Sequence, residues 1–201
     1  MPQRLFAVAD PTSAGLLPSL DGAQAEVRSI ARMYAHSDVI ARDRATKTAF
    51  FLSAPSADVV HFAGHAVARP DYPLLASLEF AGEPTAGGSA ELEAADIAAM
   101  HFDRTRLVVL AACSTGTGPV HRGEGVITLA RPFLIAGAPT VVAALWDIDD
   151  AASGTLLGAF HEAYASTGHG AAAMRAAQQH VMATNRPSVW AAFVVIGAPD
   201  A

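Results

Sequence analysis

The amino-acid sequence predicts an α/β fold: a mostly parallel, roughly six-stranded sheet covered by helices on both faces. Three observations carry that prediction. Apolar runs rich in β-branched residues alternate with alanine-rich stretches of helical period along the 201 residues. Apolar residues make up 52% and charged residues 16%, so the chain is globular and long enough for one sizeable core, and residues 1–201 are read as a single domain. The side chains able to do chemistry stand where apolar runs stop, the usual placing for a site at the carboxyl ends of strands.

Each element follows from its local pattern. "RLFAVAD" reads as the first strand, and "LDGAQAEVRSIARMYA" as a helix, because Val27, Ile30, Ala31 and Tyr34 recur at helical spacing with Asp21 as the expected N-cap. "DVI" is a short strand, "ATKTAFFLSA" a helix, and "ADVVHFAGH" a third strand expected to end at Gly64. The alternation lapses from Leu74 to Leu92, which reads as a small hairpin excursion leading into a short helix. "RLVVLAAC" returns as a core strand. "GEGVITLARPFLIAGA" is a helix closed by Gly137, with Pro132 bending it or marking a later start. "PTVVAALW" is the fifth strand, two helices follow, and "SVWAAFVVIG" closes the sheet.

Charge and cysteine usage narrow the function classes. Nineteen acidic against 13 basic residues give a net charge of −6, which argues against nucleic acid or an anionic membrane surface as partner. One cysteine forms no internal disulfide, and "MPQRLFAVADP" lacks the features of a secretory leader, so the cytoplasm is the expected compartment. The longest apolar stretch, Pro132 to Trp146, is interrupted by Gly137 and Pro139 and falls short of the roughly 20 residues of a membrane span.

Three strand ends carry polar groups: His65 after "VVHFAG", Cys113 after "LVVLAA", and Asp147, Asp149 and Asp150 after "VVAALW". On neighbouring parallel strands they would line one rim. A free thiol titrates near 8.5, so a nucleophilic cysteine needs an adjacent base, and His65 is the candidate. Backbone N–H groups of Cys113 and of Gly64 and Ala66 beside the histidine are the expected donors to an oxyanion. The small residues of "STGTGP" would let a peptide lie close to the sulfur.

Blander readings stand beside these. Taken alone, Cys113 among alanines at a strand end is better explained as an inert small hydrophobe. His61 and His65 are four apart, but strand context and the missing glutamate argue against zinc, and no metal or cofactor is expected. His61 then reads as a packed histidine and His121 as a spare base. His36, His101, His161, His169 and His180 read as solvent-exposed. Asp149 or Asp150 could simply cap the next helix. No phosphate-binding loop or serine elbow is present, which disfavours a small-molecule-binding α/β domain.

Four segments, "ADVVHFAGHA", "LVVLAACSTGTG", "GEGVITLARPFLIAGAPTVVAALWDIDD" and "SVWAAFVVIG", in this order and spacing, resemble the CHAT family of caspase-like (clan CD) cysteine peptidases, and "AVADP" with "QAEV" extends the likeness to nearly the whole chain. The resemblance implies a caspase-like three-layer α/β/α sandwich, a protein or peptide substrate, His65 as base and Cys113 as nucleophile. "LWDIDD" is similar to the corresponding stretch of separase, which implies Asp147, with Asp150 second, as receptor of a basic P1 side chain through a charge-assisted pair. Caspases place a glutamine two residues before their cysteine; Ala111 stands there here, so cleavage after arginine or lysine is expected rather than after aspartate. The family also implies a regulatory partner of tetratricopeptide-repeat type, or a further domain that supplies one. The alternative is a catalytically silent member of the same fold acting as a protein-interaction module.

Overall fold

The computed structural model describes residues 2–12, 17–69, 71–82, 89–114, 127–146 and 150–198, with only the backbone described at Cys113, Ser114, Ile127, Thr128 and Asp150. Its sheet runs β2-β1-β3-β6-β7-β8, the predicted six strands in one path: β1 (Arg4–Pro11), β2 (His36–Arg42), β3 (Val59–Val67), β6 (Leu107–Ser114), β7 (Thr140–Ala144) and β8 (Phe193–Gly197). All neighbours along it are parallel except β7 and β8. The hairpin excursion is β4 (Ser77–Glu79) and β5 (Glu91–Glu93), paired antiparallel to each other and joined to the sheet through the end of β3.

Strand alternation sends side chains to two apolar layers. Phe6, Val8, Val60, Phe62, Val108 and Leu110 face α2 (Lys47–Ser53), α3 (Ala94–Ala98) and α4 (Ile127–Ile135), where Phe50, Ile97 and Phe133 are buried. Leu5, Ala7, Val59, Ala63, Leu107 and Val109 face α1 (Asp21–Ala31), α5 (Asp150–Thr167) and α6 (Gly170–Met182), with Val27, Ile30, Leu156, Phe160 and Met174. The first layer is knitted by aromatic edges: Phe50 meets Phe6 at 5.9 Å and Phe80 at 5.3 Å between ring centroids. This is the three-layer sandwich expected, with a fully covered central sheet.

Local chemistry explains the helix ends and three departures from expectation. Thr46 caps α2 by accepting from the Ala49 N–H at 3.3 Å. Gly137, at φ +103, closes α4 as predicted, its N–H reaching the Leu134 carbonyl at 3.1 Å, and Pro132 lies inside that helix. Asp21 is not the N-cap of α1: Leu20 holds that position and makes no side-chain cap, its N–H going to Asp10 instead. β3 does not stop at Gly64, because β6 on one side and β4 on the other supply ladder partners as far as Val67. The first part of "SVWAAFVVIG" is not strand. Pro187, suited to a first helical turn, opens α7 (Pro187–Trp190), and only Phe193–Gly197 pairs with β7. Among the described residues no helix is long and apolar enough to cross a membrane.

Candidate active site

The parallel register of β3 and β6 assembles the site. Val59 is opposite Leu107, and the ladder continues without a bulge to Gly64 opposite Ala112, His65 opposite Cys113 and Ala66 opposite Ser114. Partners in adjacent strands stand about 4.8 Å apart and share a face of the sheet. His65 and Cys113 therefore take neighbouring positions near the carboxyl ends of two central strands, inside the ladder rather than after it. Gly64 lets β1 come close here, since a Cβ on it would lie 2.8 Å from Phe62 Cζ and 3.0 Å from Pro11 Cδ.

His65 is 7% exposed, and its Nε2 lies 2.9 Å from the carbonyl oxygen of Pro18, in the segment between β1 and α1. A carbonyl only accepts, so Nε2 carries the proton, and Nδ1 keeps the lone pair that can take another. Nothing in the sequence signals this partner, because a backbone carbonyl carries no residue signature.

The segment holding Pro18 is anchored by Asp10, at the end of β1. Its carboxylate accepts from the Leu20 N–H at 2.9 Å, Ser19 Oγ at 2.9 Å, Gln24 Nε2 at 3.1 Å and Arg42 Nη1 at 2.6 Å. Burial acts to raise the Asp10 carboxyl, but these donors, Leu20 foremost, outweigh it and hold the group below the ordinary carboxylate range.

Glu79 of β4 lies within electrostatic reach of His65; it is raised above its ordinary value by burial first and by Glu91 second, against opposing contributions from Ser77, Arg69 and His65. Arg69 pairs with Glu91 at 3.0 Å. Neither carboxylate was singled out from the sequence, because only the β4–β5 hairpin brings them beside β3.

Two pleat repeats deeper on the face shared by His65, His61 forms a buried polar relay. Glu26 Oε1 of α1 is 2.9 Å from His61 Nε2, off the line of a directed hydrogen bond; His61 Nδ1 is 3.1 Å from His161 Nε2; and His161 Nδ1 is 2.7 Å from the Tyr34 hydroxyl. His61 and His161 are both 0% exposed. The packed reading of His61 fits, whereas His161 is not a surface residue: it lies on the face of α5 that covers the sheet. His36, His101, His169 and His180 are exposed as expected. One proton each satisfies the two hydrogen-bonded links, Tyr34 O–H to His161 Nδ1 and His161 Nε2–H to His61 Nδ1, and leaves His61 Nε2 facing Glu26 without a directed hydrogen bond. Burial, and second the neighbouring His61, hold His161 well below the usual histidine value, so it stays neutral.

The remaining candidates divide. Asp147, Asp149 and His121 lie outside the described residues, and Asp150 opens α5 at the carboxyl end of β7 with only its backbone described. The chain leading toward Asp147 is anchored by the Leu145 N–H on the Ala192 carbonyl at 2.7 Å and by Trp146 Nε1 on the Ser188 carbonyl at 2.8 Å. Gly64 and Ala66 sit in β3 on either side of His65. Among the described residues, no group of three or more His, Cys, Asp or Glu could hold a metal ion.

Comparison with known proteins agrees with this architecture. The chain is 34% identical over 110 residues, 53% of its length, to tetratricopeptide repeat protein 28 of Mus musculus, and the match spans 4% of that relative. The human protein of the same name matches equally. Among solved structures, the Arg-specific cysteine proteinase gingipain R superposes with a TM-score of 0.60 at 12% identity, covering 98% of this chain and 46% of that one. The Drosophila initiator caspase Dronc superposes with a TM-score of 0.56 at 8% identity, covering 98% and 80%. The fold is thus caspase-like, and with residues 1–198 matching the CHAT domain, the chain belongs to the CHAT domain family.

Proposed function

We propose that this chain is a cysteine endopeptidase that cuts a protein partner after arginine or lysine. The observation that carries the reading is the register of His65 beside Cys113 on adjacent parallel strands. His65 Nδ1 takes the thiol proton and the Cys113 sulfur attacks the scissile carbonyl. The tetrahedral oxyanion is held by the backbone N–H of Cys113 with one beside His65, from Gly64 or Ala66. The imidazolium returns its proton to the leaving amine as the C–N bond breaks, and water, deprotonated by His65, then hydrolyses the thioester. The Pro18 carbonyl supports this cycle, because it sets the tautomer that leaves Nδ1 as the base.

Asp147, with Asp150 second, grips the basic P1 side chain. Their place in the sequence, in the stretch that follows the β7 segment, supports this, as does the likeness to a structure described as an Arg-specific proteinase. The match to a tetratricopeptide repeat protein supports control of the peptidase by a partner or module of that kind. A thiol that must stay reduced to act favours a cytoplasmic setting.

The test is cleavage of fluorogenic peptides bearing Arg, Lys or Asp at P1, together with iodoacetamide labelling of Cys113. Cleavage after Arg or Lys, falling by about a thousandfold or more in Cys113→Ala and in His65→Ala, is expected. Cys113 labelling that is equally fast in wild type and His65→Ala would remove the base, and selective cleavage after Asp would remove the assigned P1 pocket.

A further inference from the structure

We propose that Asp10 is a positioning residue for His65, acting through residues 18–20 to hold the Pro18 carbonyl against the imidazole. The inference rests on the reading of His65 as the base and adds a group that never touches substrate. Its geometry is a bracket. Ser19 and Leu20, immediately after Pro18, are both tied to the Asp10 carboxylate, at 2.9 Å from Ser19 Oγ and 2.9 Å from the Leu20 N–H. Gln24, in the first turn of α1, adds a third donor at 3.1 Å. The carbonyl bonded to His65 therefore hangs from a segment whose next two residues are fixed to the end of β1.

Two features make the bracket stiff. Asp10 is 2% exposed and its charge is met by Arg42, whose Nη1 also reaches Ser19 Oγ at 2.9 Å, so the loop, the carboxylate and the end of β2 form one closed ring of charge-assisted bonds. Both charged members sit in left-handed backbone, Asp10 at φ 46 and Arg42 at φ 53. Residues other than glycine are uncommon there, and aspartate tolerates it better than most.

The consequence for chemistry is a tautomer. With the carbonyl in place, the proton of neutral His65 belongs on Nε2. A carbonyl free to swing away would let it settle on Nδ1, which could then no longer accept from a thiol. Asp10 thus acts on which nitrogen is free, without contacting either Cys113 or a peptide.

The experiment uses the full chain, labelled with nitrogen-15, and reads the His65 tautomer by long-range nitrogen–proton correlation alongside Cys113 alkylation at pH 7. In wild type the Nε2–H form dominates. In Asp10→Ala it gives way to a mixture and alkylation slows about tenfold, while in peptide assays kcat falls and KM stays within about twofold. Asp10→Asn, which keeps an acceptor for the Leu20 N–H, recovers most of the rate and of the Nε2–H population. If Asp10→Ala does not fold, Ser19→Ala and Arg42→Gln are expected to shift the tautomer in the same direction. A folded Asp10→Ala, or that pair of substitutes, with unchanged tautomer and alkylation would overturn the proposal. Alkylation indifferent to His65→Ala would instead bring down the base assignment itself, and the role of Asp10 with it.

Discussion

Replacing Tyr34 by phenylalanine tests the buried relay with almost no change in shape. The Tyr34 hydroxyl is 2.7 Å from His161 Nδ1, Tyr34 is 7% exposed and His161 is fully buried. Removing the hydroxyl strips a donor from a ring nitrogen that water cannot reach, which costs about 1–3 kcal/mol. Unfolding entropy scales at about 2.1 cal/mol/K per residue, or roughly 0.4 kcal/mol/K for 201 residues, so the melting temperature should fall by about 2–7 °C. Thermal unfolding by circular dichroism reads this directly, and a double-mutant cycle with His161→Phe isolates it. The cost of Tyr34→Phe should largely vanish once His161 is gone, giving a coupling of about 1 kcal/mol or more. The pH dependence adds an independent arm. His161 is depressed in the folded protein, so between the ordinary histidine value of 6.5 and its folded value the unfolded chain binds the extra proton. Its stabilising contribution is complete above pH 6.5 and is lost as pH falls, at up to about 1.4 kcal/mol per pH unit. His161→Phe should flatten that slope. Strict additivity of the two substitutions, or identical pH profiles for wild type and His161→Phe, would refute the relay.

Two further expectations concern the frame of the site. Asp58 accepts from the Gln3 and Arg4 N–H groups at 2.8 and 2.9 Å and from Arg104 Nε at 2.9 Å, and although burial acts to raise it, these donors hold its carboxyl below the ordinary range. Its contribution is present above about pH 4 and disappears as pH falls through the depressed folded value, so urea unfolding of Asp58→Asn between pH 2 and 5 should show a shallower acid limb than wild type. Gly64→Ala would press a methyl to 2.8 Å from Phe62 Cζ, in a ring that is 0% exposed and packed on Phe80. Overpacking of this kind costs about 1–3 kcal/mol, and an unchanged urea midpoint would show that the core yields there more easily than its packing suggests.

Much of the candidate site is legible in the chain because its two halves have the same local form. "VVHFAGH" and "LVVLAAC" are apolar runs of equal length that end in the reactive group, and the first residues of the two pair in register, so the last residues do also. The supports of that pair are less legible. Pro18 contributes a backbone carbonyl. Asp10 is recognisable as a polar residue ending a strand, but its partners Ser19, Leu20 and Arg42 are assembled only when β2 pairs with β1. His161 misleads for a related reason. A histidine on an alanine-rich helix carries no mark of burial, and its partners Tyr34 and His61 lie far away along the chain.

The sequence by itself determined the layers, the order of the strands along the chain, the family and the candidates His65 and Cys113, because hydrophobic period and short motifs are local properties that survive without coordinates. Tertiary structure decided the rest. The run of β3 past Gly64 depends on partners on both sides, the tautomer of His65 on a carbonyl from another loop, and the neutral state of His161 on the water excluded by α1 and α5. Those outcomes follow from which groups become neighbours in space, and register and burial come into being only when the sheet and its helices close together.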